Sequence, residues 1–344
     1  MASLINSWLQ STFFLGAAYV VTKHGVPEVV PFEGEGVDVV NLAKETGTKV
    51  EELDRLLRAL STFGVFRQTA LHHWVHTAQS APLRKEHPKS IRSLVLHAGA
   101  VGIPSLVKLD EFLKEGEDDR APFERLTGVS LDDWFAQNEI TQSNLHKHMT
   151  EERLMTPLLT EFDWNKFAGK TIVDLGGGNG EDLEEILSEY PSIANGIVLD
   201  RPSVIALAQS PTNPASQNHR LTFLAGDFNR PLHPSLSSPD TVFFLKHILH
   251  DRSDAGAVRV LHNIRQAIPA GTTTGGALLV VDAVVDPANP GINVAQVDMW
   301  SMSQFGAKER TKEQWEALLD KGGFKLEEVR EIHALSSLLV AKLK

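Results

Sequence analysis

The chain has 344 residues, of which 42% are hydrophobic and 22% charged, and its formal net charge is -11. The length predicts two domains, and the acidic balance argues against a nucleic-acid partner, whose phosphates attract basic surfaces. Because the chain contains no cysteine, disulfides, cysteine-ligated zinc, iron–sulfur clusters and thiol nucleophiles are excluded, and a reducing compartment such as the cytoplasm is favoured.

The apolar run FFLGAAYVV, residues 13–21, predicts a buried helix. It is shorter than the roughly 18 residues that a membrane-spanning helix needs. A secretory signal would have basic residues before its apolar core, whereas the first lysine here is Lys23. We therefore expect a cytoplasmic protein without a membrane partner.

Residues 38–67 predict two helices separated by a turn at Gly47, with Gly64 after the second helix. The pattern resembles a helix-turn-helix, and the following HHWVHTAQSAPL would supply a wing strand and the next helix. A DNA-binding regulator would carry a basic stripe here, but both signs of charge are mixed, so a packing or dimerisation module is favoured. The histidines of HHWVH have no accompanying acid, which favours a strand over a metal site.

Residues 104–162 predict a mixture of helices and loops. From residue 170 short β-rich runs alternate with helices: TIVDL, GIVLD, LTFLAGD, TVFFLKHIL and ALLVVDAVV. This alternation is typical of an α/β fold with a doubly wound, Rossmann-like parallel sheet. The last stretch, FKLEEVREIHALSSLLVAKLK, predicts two antiparallel strands at the sheet edge.

A glycine-rich turn, GGGNG, follows TIVDL. The dinucleotide fingerprint G-x-G-x-x-G fails because its third position falls on Glu181, and the Gly-Lys-Ser/Thr end of a P-loop is missing. The pattern acid-x-Gly-x-Gly-x-Gly does fit, with these residues: Asp174, Gly176, Gly178 and Gly180. Glycine lets the backbone approach a ligand closely at positive φ, and a ligand without phosphates needs no cationic cradle.

This is the pattern of the class I S-adenosylmethionine-dependent methyltransferases. The next two predicted strands also end in acids, Asp200 in GIVLD and Asp227 in AGDF. A carboxylate at the position of Asp200 can accept hydrogen bonds from ribose hydroxyls. Asp227 can reach the adenine amino group and Phe228 the adenine face. Three consecutive strand ends in this order predict S-adenosylmethionine as the cofactor.

Two further motifs are FLKHILHDRSD, residues 244–254, and GAKERT, residues 306–311. Together with VDLGGGNG they resemble the small-molecule O-methyltransferases of plant and fungal secondary metabolism, the caffeate and flavonoid type. The resemblance covers nearly the whole chain. It implies a helical, winged-helix-like dimerisation domain at 1–105, bridging helices at 106–165 that contribute to the acceptor pocket, and a cofactor-binding domain at 166–344. It also implies a homodimer.

The resemblance assigns roles to single residues. His250 matches the general base, and Glu309 and Asp282 match the acids that flank it. Asp282 stands where the family usually has glutamate, so its reach is one methylene shorter. Lys246 matches a residue near the cofactor. The residues expected to line the acceptor pocket are Thr141, Met149, His247, Met299, Trp300 and Met302.

The chemistry of methyl transfer agrees with these roles. Transfer from a sulfonium is an in-line displacement, so the enzyme must hold the acceptor oxygen in place and remove its proton. A histidine with a pKa of about 6.5 can take the proton of a phenol, whose pKa is about 10, during the attack. A carboxylate hydrogen-bonded to the ring fixes its tautomer. This reaction requires no metal.

Two positions depart from the family pattern. Arg252 stands where the family usually has a tryptophan that packs over the adenine. Arg153 stands where a small hydroxyl residue usually lies near the cofactor carboxylate.

A second enzymatic function therefore stays open. Some fungal proteins of this fold have lost methyl transfer and catalyse dehydration or pericyclic ring closure of polyketide or pyridone intermediates while retaining the cofactor. Pocket side chains then donate hydrogen bonds to a carbonyl; the donors here would be His250, Lys246, His247 and Thr141. We expect an O-methyltransferase, with such a pericyclase as the alternative.

Overall fold

The computed structural model describes residues 2–114, 120–131, 133–134, 162–270, 272, 277–333 and 336–344. Three residues with predicted roles, Thr141, Met149 and Arg153, lie outside the described residues. Contacts between Cα atoms divide the chain into two compact units. The first comprises residues 1–115 and 122–155, and the second comprises residues 116–121 and 156–344.

The first unit is mainly helical in its described part. Its helices are α1 (Ala2–Lys23), α2 (Val26–Val29), α3 (Val39–Thr46), α4 (Val50–Ser61), α5 (Arg92–His97), α6 (Ile103–Leu106), α7 (Leu109–Phe112) and α8 (Pro122–Thr127). A π-helical turn, Ala98–Gly102, follows α5. Three short strands pair antiparallel in the order β1–β3–β2: β1 (Val37–Asp38), β2 (Arg67–Ala70) and β3 (His73–Val75).

Helices α3 and α4 and the β2–β3 hairpin form the predicted winged-helix-like arrangement. Gly47 ends α3 in the left-handed region at φ 64°, where glycine is favoured because it has no Cβ. HHWVH supplies strand β3, as predicted. Its histidines bind different groups: His72 pairs with Asp54 at 3.2 Å, whereas the buried His76 bonds to the Ser80 hydroxyl at 2.8 Å.

The prediction that the N-terminal helix is buried is wrong, because much of helix α1 is exposed. Val21 and Ala17 are buried, but Phe13 is 78% exposed, and the exposed apolar side chains continue towards the N-terminus with Leu9 and Trp8. The apolar run at residues 13–21 also underestimated the length of the apolar helix. Ser3–Lys23 is long and apolar enough to cross a membrane, and 11% of its most apolar stretch is buried. Length and composition alone are weak evidence for a span, because core helices and signal sequences meet the same test.

The second unit contains the predicted α/β sheet. Its described helices are α9 (Glu181–Glu189), α10 (Pro202–Ala208), α11 (Asp254–Ala267), α12 (Ile292–Phe305) and α13 (Lys312–Lys321). Its strands are β4 (Thr171–Leu175), β5 (Asn195–Asp200), β6 (Leu221–Ala225), β7 (Thr241–Lys246), β8 (Ala277–Asp282), β9 (Val284–Val285), β10 (Arg310–Thr311), β11 (Phe324–His333) and β12 (Ser336–Leu343).

Seven of these strands form one sheet in the order β11–β12–β8–β7–β4–β5–β6. Strands β4 to β8 run parallel, whereas β12 pairs antiparallel with both β8 and the edge strand β11. This confirms the doubly wound sheet and its antiparallel end. Short strands β9 and β10 pair parallel beside it.

Apolar side chains cover both faces of this sheet. Burial on both faces explains why the strands appear in the sequence as continuous apolar runs. From β4 the chain continues to β5 and β6 on one side, and it then crosses to β7 and β8 on the other. Ligands of doubly wound sheets bind where the strand order reverses, at the carboxyl ends of the strands. The carboxyl end of β4 is therefore the place to look for a site.

Candidate active site

The turn after β4 adopts left-handed backbone conformations at alternate residues. Gly176, Gly178 and Gly180 have φ values of 81°, 59° and 82°, which glycine alone adopts without strain. They are the three glycines of the predicted acid-x-Gly-x-Gly-x-Gly pattern. Gly177 is required for a different reason, because a Cβ there would lie 2.5 Å from a carboxylate oxygen of Asp174.

The carboxyl end of β5 meets this turn through Asp200. One oxygen of Asp200 accepts the Gly178 N–H at 3.0 Å, and the other accepts the Arg201 N–H at 2.7 Å. The Asp200 carbonyl in turn accepts the N–H of Gly226, which follows β6, at 2.9 Å. An ionised carboxylate has about four lone-pair sites, so Asp200 can still accept hydrogen bonds from the hydroxyls of a ligand.

The segment after β6 carries the residues predicted to contact adenine. Asp227 forms a turn in which its Oδ1 accepts the Asn229 N–H at 2.9 Å. Phe228 is half-buried, and the guanidinium carbon of Arg252 lies 5.6 Å from its ring centre. Arg252, which replaces the tryptophan of the family pattern, thus forms a cation–π contact with the aromatic ring expected at the adenine.

Strand β7 ends at Lys246, whose ammonium pairs with Asp182 at 3.1 Å in the first turn of α9. The next residue, His247, has φ 54°, an uncommon value for a residue with a side chain and one that often marks functional sites. Its N–H donates to the Val281 carbonyl at 2.9 Å. This bend leads the chain from the sheet into the loop that contains His250.

The structure brings His250 and Glu309 together from positions 59 residues apart. His250 Nδ1 lies 2.8 Å from Glu309 Oε1, and the Glu309 side chain is fully buried. Asp251 Oδ1 lies 3.4 Å from His250 Nε2. Glu309 forms the shorter contact, at Nδ1, and Asp251 the longer one, at Nε2, so Nε2 is the nitrogen better suited to exchange a proton with a ligand.

Asp282, the other predicted flanking acid, makes no hydrogen bond to His250. It ends β8 with 0% exposure, and neither of its oxygens has a hydrogen-bond partner among the described residues. An aspartate reaches one methylene less far than the glutamate expected here. Asp282 therefore acts on His250 through its charge.

His247, His250 and Asp282 each offer one donor atom, and the three atoms lie within 4.8 Å of one another. Imidazole nitrogens and a carboxylate oxygen are groups that can bind either a polar ligand or a metal ion. That the reaction needs no metal stays a prediction.

The charges of this cluster differ sharply at neutral pH. Burial alone would lower the pKa of His250, but the surrounding carboxylates, those of Asp251, Asp282 and Glu309, raise it to about 10. Burial, partly offset by the charge of His250, raises the pKa of Asp282 to about 7. Burial, and then the charge of His250, hold the pKa of His247 well below its ordinary value. At pH 7, then, His250 is charged and His247 is neutral.

Residues 106–325 match the sequence profile of the O-methyltransferase domain. The O-methyltransferase SfmM3 of Streptomyces lavendulae is 33% identical over 328 residues, which cover 91% of this chain and 92% of that protein. This chain belongs to the O-methyltransferase family.

Two further proteins are similar to this chain along nearly its whole length. Phenazine O-methyltransferase PhzM of Lysobacter antibioticus is 26% identical over 96% of this chain and 92% of its own. The crystal structure of TnmH, 26% identical, superposes with a TM-score of 0.87 and covers 100% of this chain and 98% of its own. Membership confirms the resemblance drawn from the motifs, the Rossmann-like fold and the enzyme class, and with them S-adenosylmethionine as the cofactor.

The described residues fit this cofactor. Three glycines with positive φ let the turn approach a ligand closely, and the Asp200 carboxylate retains acceptor sites. Packing explains one of the glycines further, since a Cβ on Gly176 would lie 2.5 Å from Ile248. When bound, the cofactor supplies an electrophilic methyl group on a sulfonium.

Sequence analysis missed two residues that position Glu309. Asp298 Oδ1 accepts the Glu309 N–H at 2.8 Å, and the Ser301 hydroxyl donates to Glu309 Oε1 at 3.3 Å. Residues three apart lie on the same helix face, so α12 presents both groups to Glu309 together. A polar pair at this spacing within an apolar helix was the available signal.

The predicted pocket residues Met299, Trp300 and Met302 also lie on α12. Met299 is 43% exposed, and the other two are half-buried. They share the helix whose Asp298 and Ser301 bond to Glu309. Their contact with an acceptor stays a prediction.

Replacing Asp200 tests the cofactor site. Asp200→Asn keeps the shape but removes the charge that would receive ribose hydroxyls, and hydrogen bonds to charged groups are worth about 1.5–3 kcal/mol. We expect the Kd for S-adenosylmethionine, measured by titration calorimetry, to rise roughly tenfold or more. Asp240→Asn, which changes a surface ion pair with Lys170, is the control and should leave the Kd unchanged. Equal affinities for both variants would contradict the assignment.

Proposed function

We propose that this enzyme transfers the methyl group of S-adenosylmethionine to a hydroxyl of a small aromatic or polyketide metabolite, with His250 as the general base. The observation that carries the proposal is the 2.8 Å contact between His250 Nδ1 and the buried Glu309 carboxylate. Such a contact fixes the tautomer and stabilises the imidazolium that forms. A relative named for a phenazine, an aromatic compound, supports an aromatic acceptor.

Proton transfer from a phenol to His250 is energetically suitable. A phenol has a pKa of about 10, and the surrounding carboxylates raise the pKa of His250 to about 10, which makes its neutral imidazole a stronger base towards a phenol than a free imidazole is. His250 receives the proton at Nε2 while the acceptor oxygen bonds to the methyl carbon and the carbon–sulfur bond breaks. Glu309 and the neighbouring acids Asp251 and Asp282 stabilise the positive charge that results.

The same raised pKa supports the pericyclase alternative. A protonated His250 is a hydrogen-bond donor, and ring closure of a polyketide or pyridone needs a donor on a carbonyl. His247 and Lys246 lie within four residues of it on the same loop and strand end. The two functions differ in whether the methyl group leaves the cofactor.

Removing His250 separates these functions. The enzyme would be incubated with methyl-labelled S-adenosylmethionine and a panel of phenols and pyridones, and the products separated. We expect labelled ether products whose formation falls by roughly 10²–10⁴-fold in His250→Ala, the usual contribution of a general base. His262→Ala, an exposed histidine bonded to the Lys321 carbonyl, should retain activity. Unlabelled cyclised product without cofactor turnover would favour the pericyclase.

The role of Glu309 predicts the pH dependence. Neutral His250 is the active base, so kcat/KM should rise with pH towards the His250 pKa of about 10. Glu309→Gln removes a negative charge that raises this pKa. The pKa should therefore fall, and the acidic limb of the profile should move to lower pH.

Glu316→Gln on the exposed face of α13 is the matched control, since this carboxylate forms a surface ion pair with Lys312. Its pH profile should coincide with that of the wild type. A Glu309→Gln profile that also coincides would show that Glu309 does not set the charge of His250.

We also propose a homodimer formed through α1. The helix exposes apolar side chains spaced four apart, Ile5, Leu9 and Phe13, which lie on one face. Contiguous exposed apolar surface marks interaction sites. Residues 1–105 would then be the dimerisation domain, 106–165 would contribute to the acceptor pocket, and 166–344 would bind the cofactor. A location in the cytoplasm is part of this proposal.

Charges on the apolar face of α1 test the dimer. By sedimentation velocity we expect a dimer for the wild type and a monomer for Leu9→Glu/Phe13→Glu, because burying two carboxylates in an apolar interface is unfavourable. Leu207→Glu, at a 71% exposed leucine of the second unit, should remain a dimer. A monomeric wild type that co-sediments with phospholipid vesicles would assign the helix to a membrane surface instead.

A further inference from the structure

Arg310 follows Glu309 in the KERT motif and is a charged residue with 0% exposure. Sequence analysis gave it no role. Burying an ionised group is unfavourable unless the group is paired and hydrogen-bonded. The groups that bind this guanidinium therefore indicate its structural role.

Two of the partners are backbone carbonyls on either side of the candidate base. Arg310 Nη1 donates to the Leu249 carbonyl and Nη2 to the Arg252 carbonyl, each at 2.8 Å. His250 lies between these two residues. The planar fork of the guanidinium thus spans the turn that carries the imidazole.

A third partner anchors the end of the same loop. Arg310 Nε and Nη2 lie 3.1 and 3.0 Å from Oδ1 of Asp254, the first residue of α11. Lys308 donates to the other oxygen of Asp254 at 2.9 Å. Burial would raise the pKa of Asp254, but the hydrogen bonds from Lys308 and Arg310 lower it, so the carboxylate stays ionised against its cation.

The guanidinium also contacts the segment that contains Asp282. Its carbon lies 5.3 Å from the ring centre of Trp315, a cation–π distance. The buried Trp315 indole donates to the Ala283 carbonyl at 2.9 Å, next to Asp282. In the β9–β10 pair Arg310 lies opposite Val284. One side chain therefore connects the segments that carry His250, Asp282 and Glu309.

We propose that Arg310 is a positioning residue for methyl transfer, which holds the turn 249–252 so that His250 stays against Glu309. The inference rests on the proposed role of His250 as the base. Glu309 fixes the imidazole ring, and Arg310 fixes the backbone beneath it. Lysine cannot replace this arrangement, because an ammonium is a point charge and lacks the planar fork that reaches two carbonyls and a carboxylate.

The variant Arg310→Lys keeps the charge and removes the fork. We expect kcat to fall on the order of 100-fold, as for a misplacement of about 1 Å, while KM for the acceptor and Kd for S-adenosylmethionine change less than about threefold, as expected when only the transition state is affected. The acidic limb of the kcat/KM profile should move to lower pH, because a loosened His250–Glu309 contact stabilises the imidazolium less.

Arg220→Lys is the matched control. Arg220 also donates to two backbone carbonyls, those of Ile193 and Leu187, at a place remote in the sheet from His250. Activities are compared per folded enzyme, because Arg310 is fully buried and Arg220 only partly so, and Arg220→Lys should keep the kcat and pH profile of the wild type. If both variants lose activity only in proportion to their unfolded fraction, Arg310 is merely structural and the proposal is wrong.

Asp254→Asn gives a second test that is safer for folding, since the Asp254 side chain is 48% exposed. This substitution weakens one partner of the Arg310 guanidinium and should lower kcat several-fold. The acidic limb of the kcat/KM profile should move to lower pH, as for Arg310→Lys. An unchanged kcat and limb would overturn the proposal. The proposed function is tested separately. If His250→Ala is fully active, His250 is not the base. If His250→Ala is inactive but Arg310→Lys is fully active, only the positioning role of Arg310 is wrong.

Discussion

Two buried charged residues, Glu309 and Arg310, bind the groups that surround His250 at the carboxyl edge of this sheet. Glu309 and Arg310 are consecutive, oppositely charged and almost fully enclosed. Burying an ion is unfavourable unless partners compensate it, and each has a partner on the same short turn, although Glu309 Oε2 has no hydrogen-bond partner among the described residues. Glu309 binds the ring of His250, and Arg310 binds the carbonyls that flank it. Two consecutive buried residues thus hold this turn at the ring and at the backbone, which is the support that the proposed general base needs.

Much of the fold could be predicted because its signals are local. The alternation of apolar runs and helices gave the parallel sheet, and acid-x-Gly-x-Gly-x-Gly coincided with the three positions of positive φ. The residues at the strand ends lie together because parallel strands present their carboxyl ends at one edge. A pattern that depends on strand order can be recognised without knowing any side-chain contact.

The contacts that the sequence did not predict join residues far apart in the chain. The bonds from Asp298 and Ser301 to Glu309, and from Arg310 to the turn at His250, join groups that only the folded chain brings together. Helix α1 was misjudged for a related reason, since hydrophobicity alone does not say whether an apolar face meets this chain or another surface. Asp282 has no hydrogen-bond partner among the described residues. The sequence indicated only that an aspartate side chain is shorter than the glutamate expected at this position.

Electrostatics also explain the kind of ligand that this edge accepts. The ammonium of Lys246 is paired with Asp182, and the carboxylate of Asp200 faces the glycine turn, so the acidic side chains at this turn disfavour a phosphate ligand. Additional acids surround His250. An anion would be repelled by this arrangement, whereas a sulfonium nucleoside gains from it, because the positive sulfur and the ribose hydroxyls both favour nearby carboxylates. The acids that raise the basicity of His250 thus also suit the edge to a cationic methyl donor.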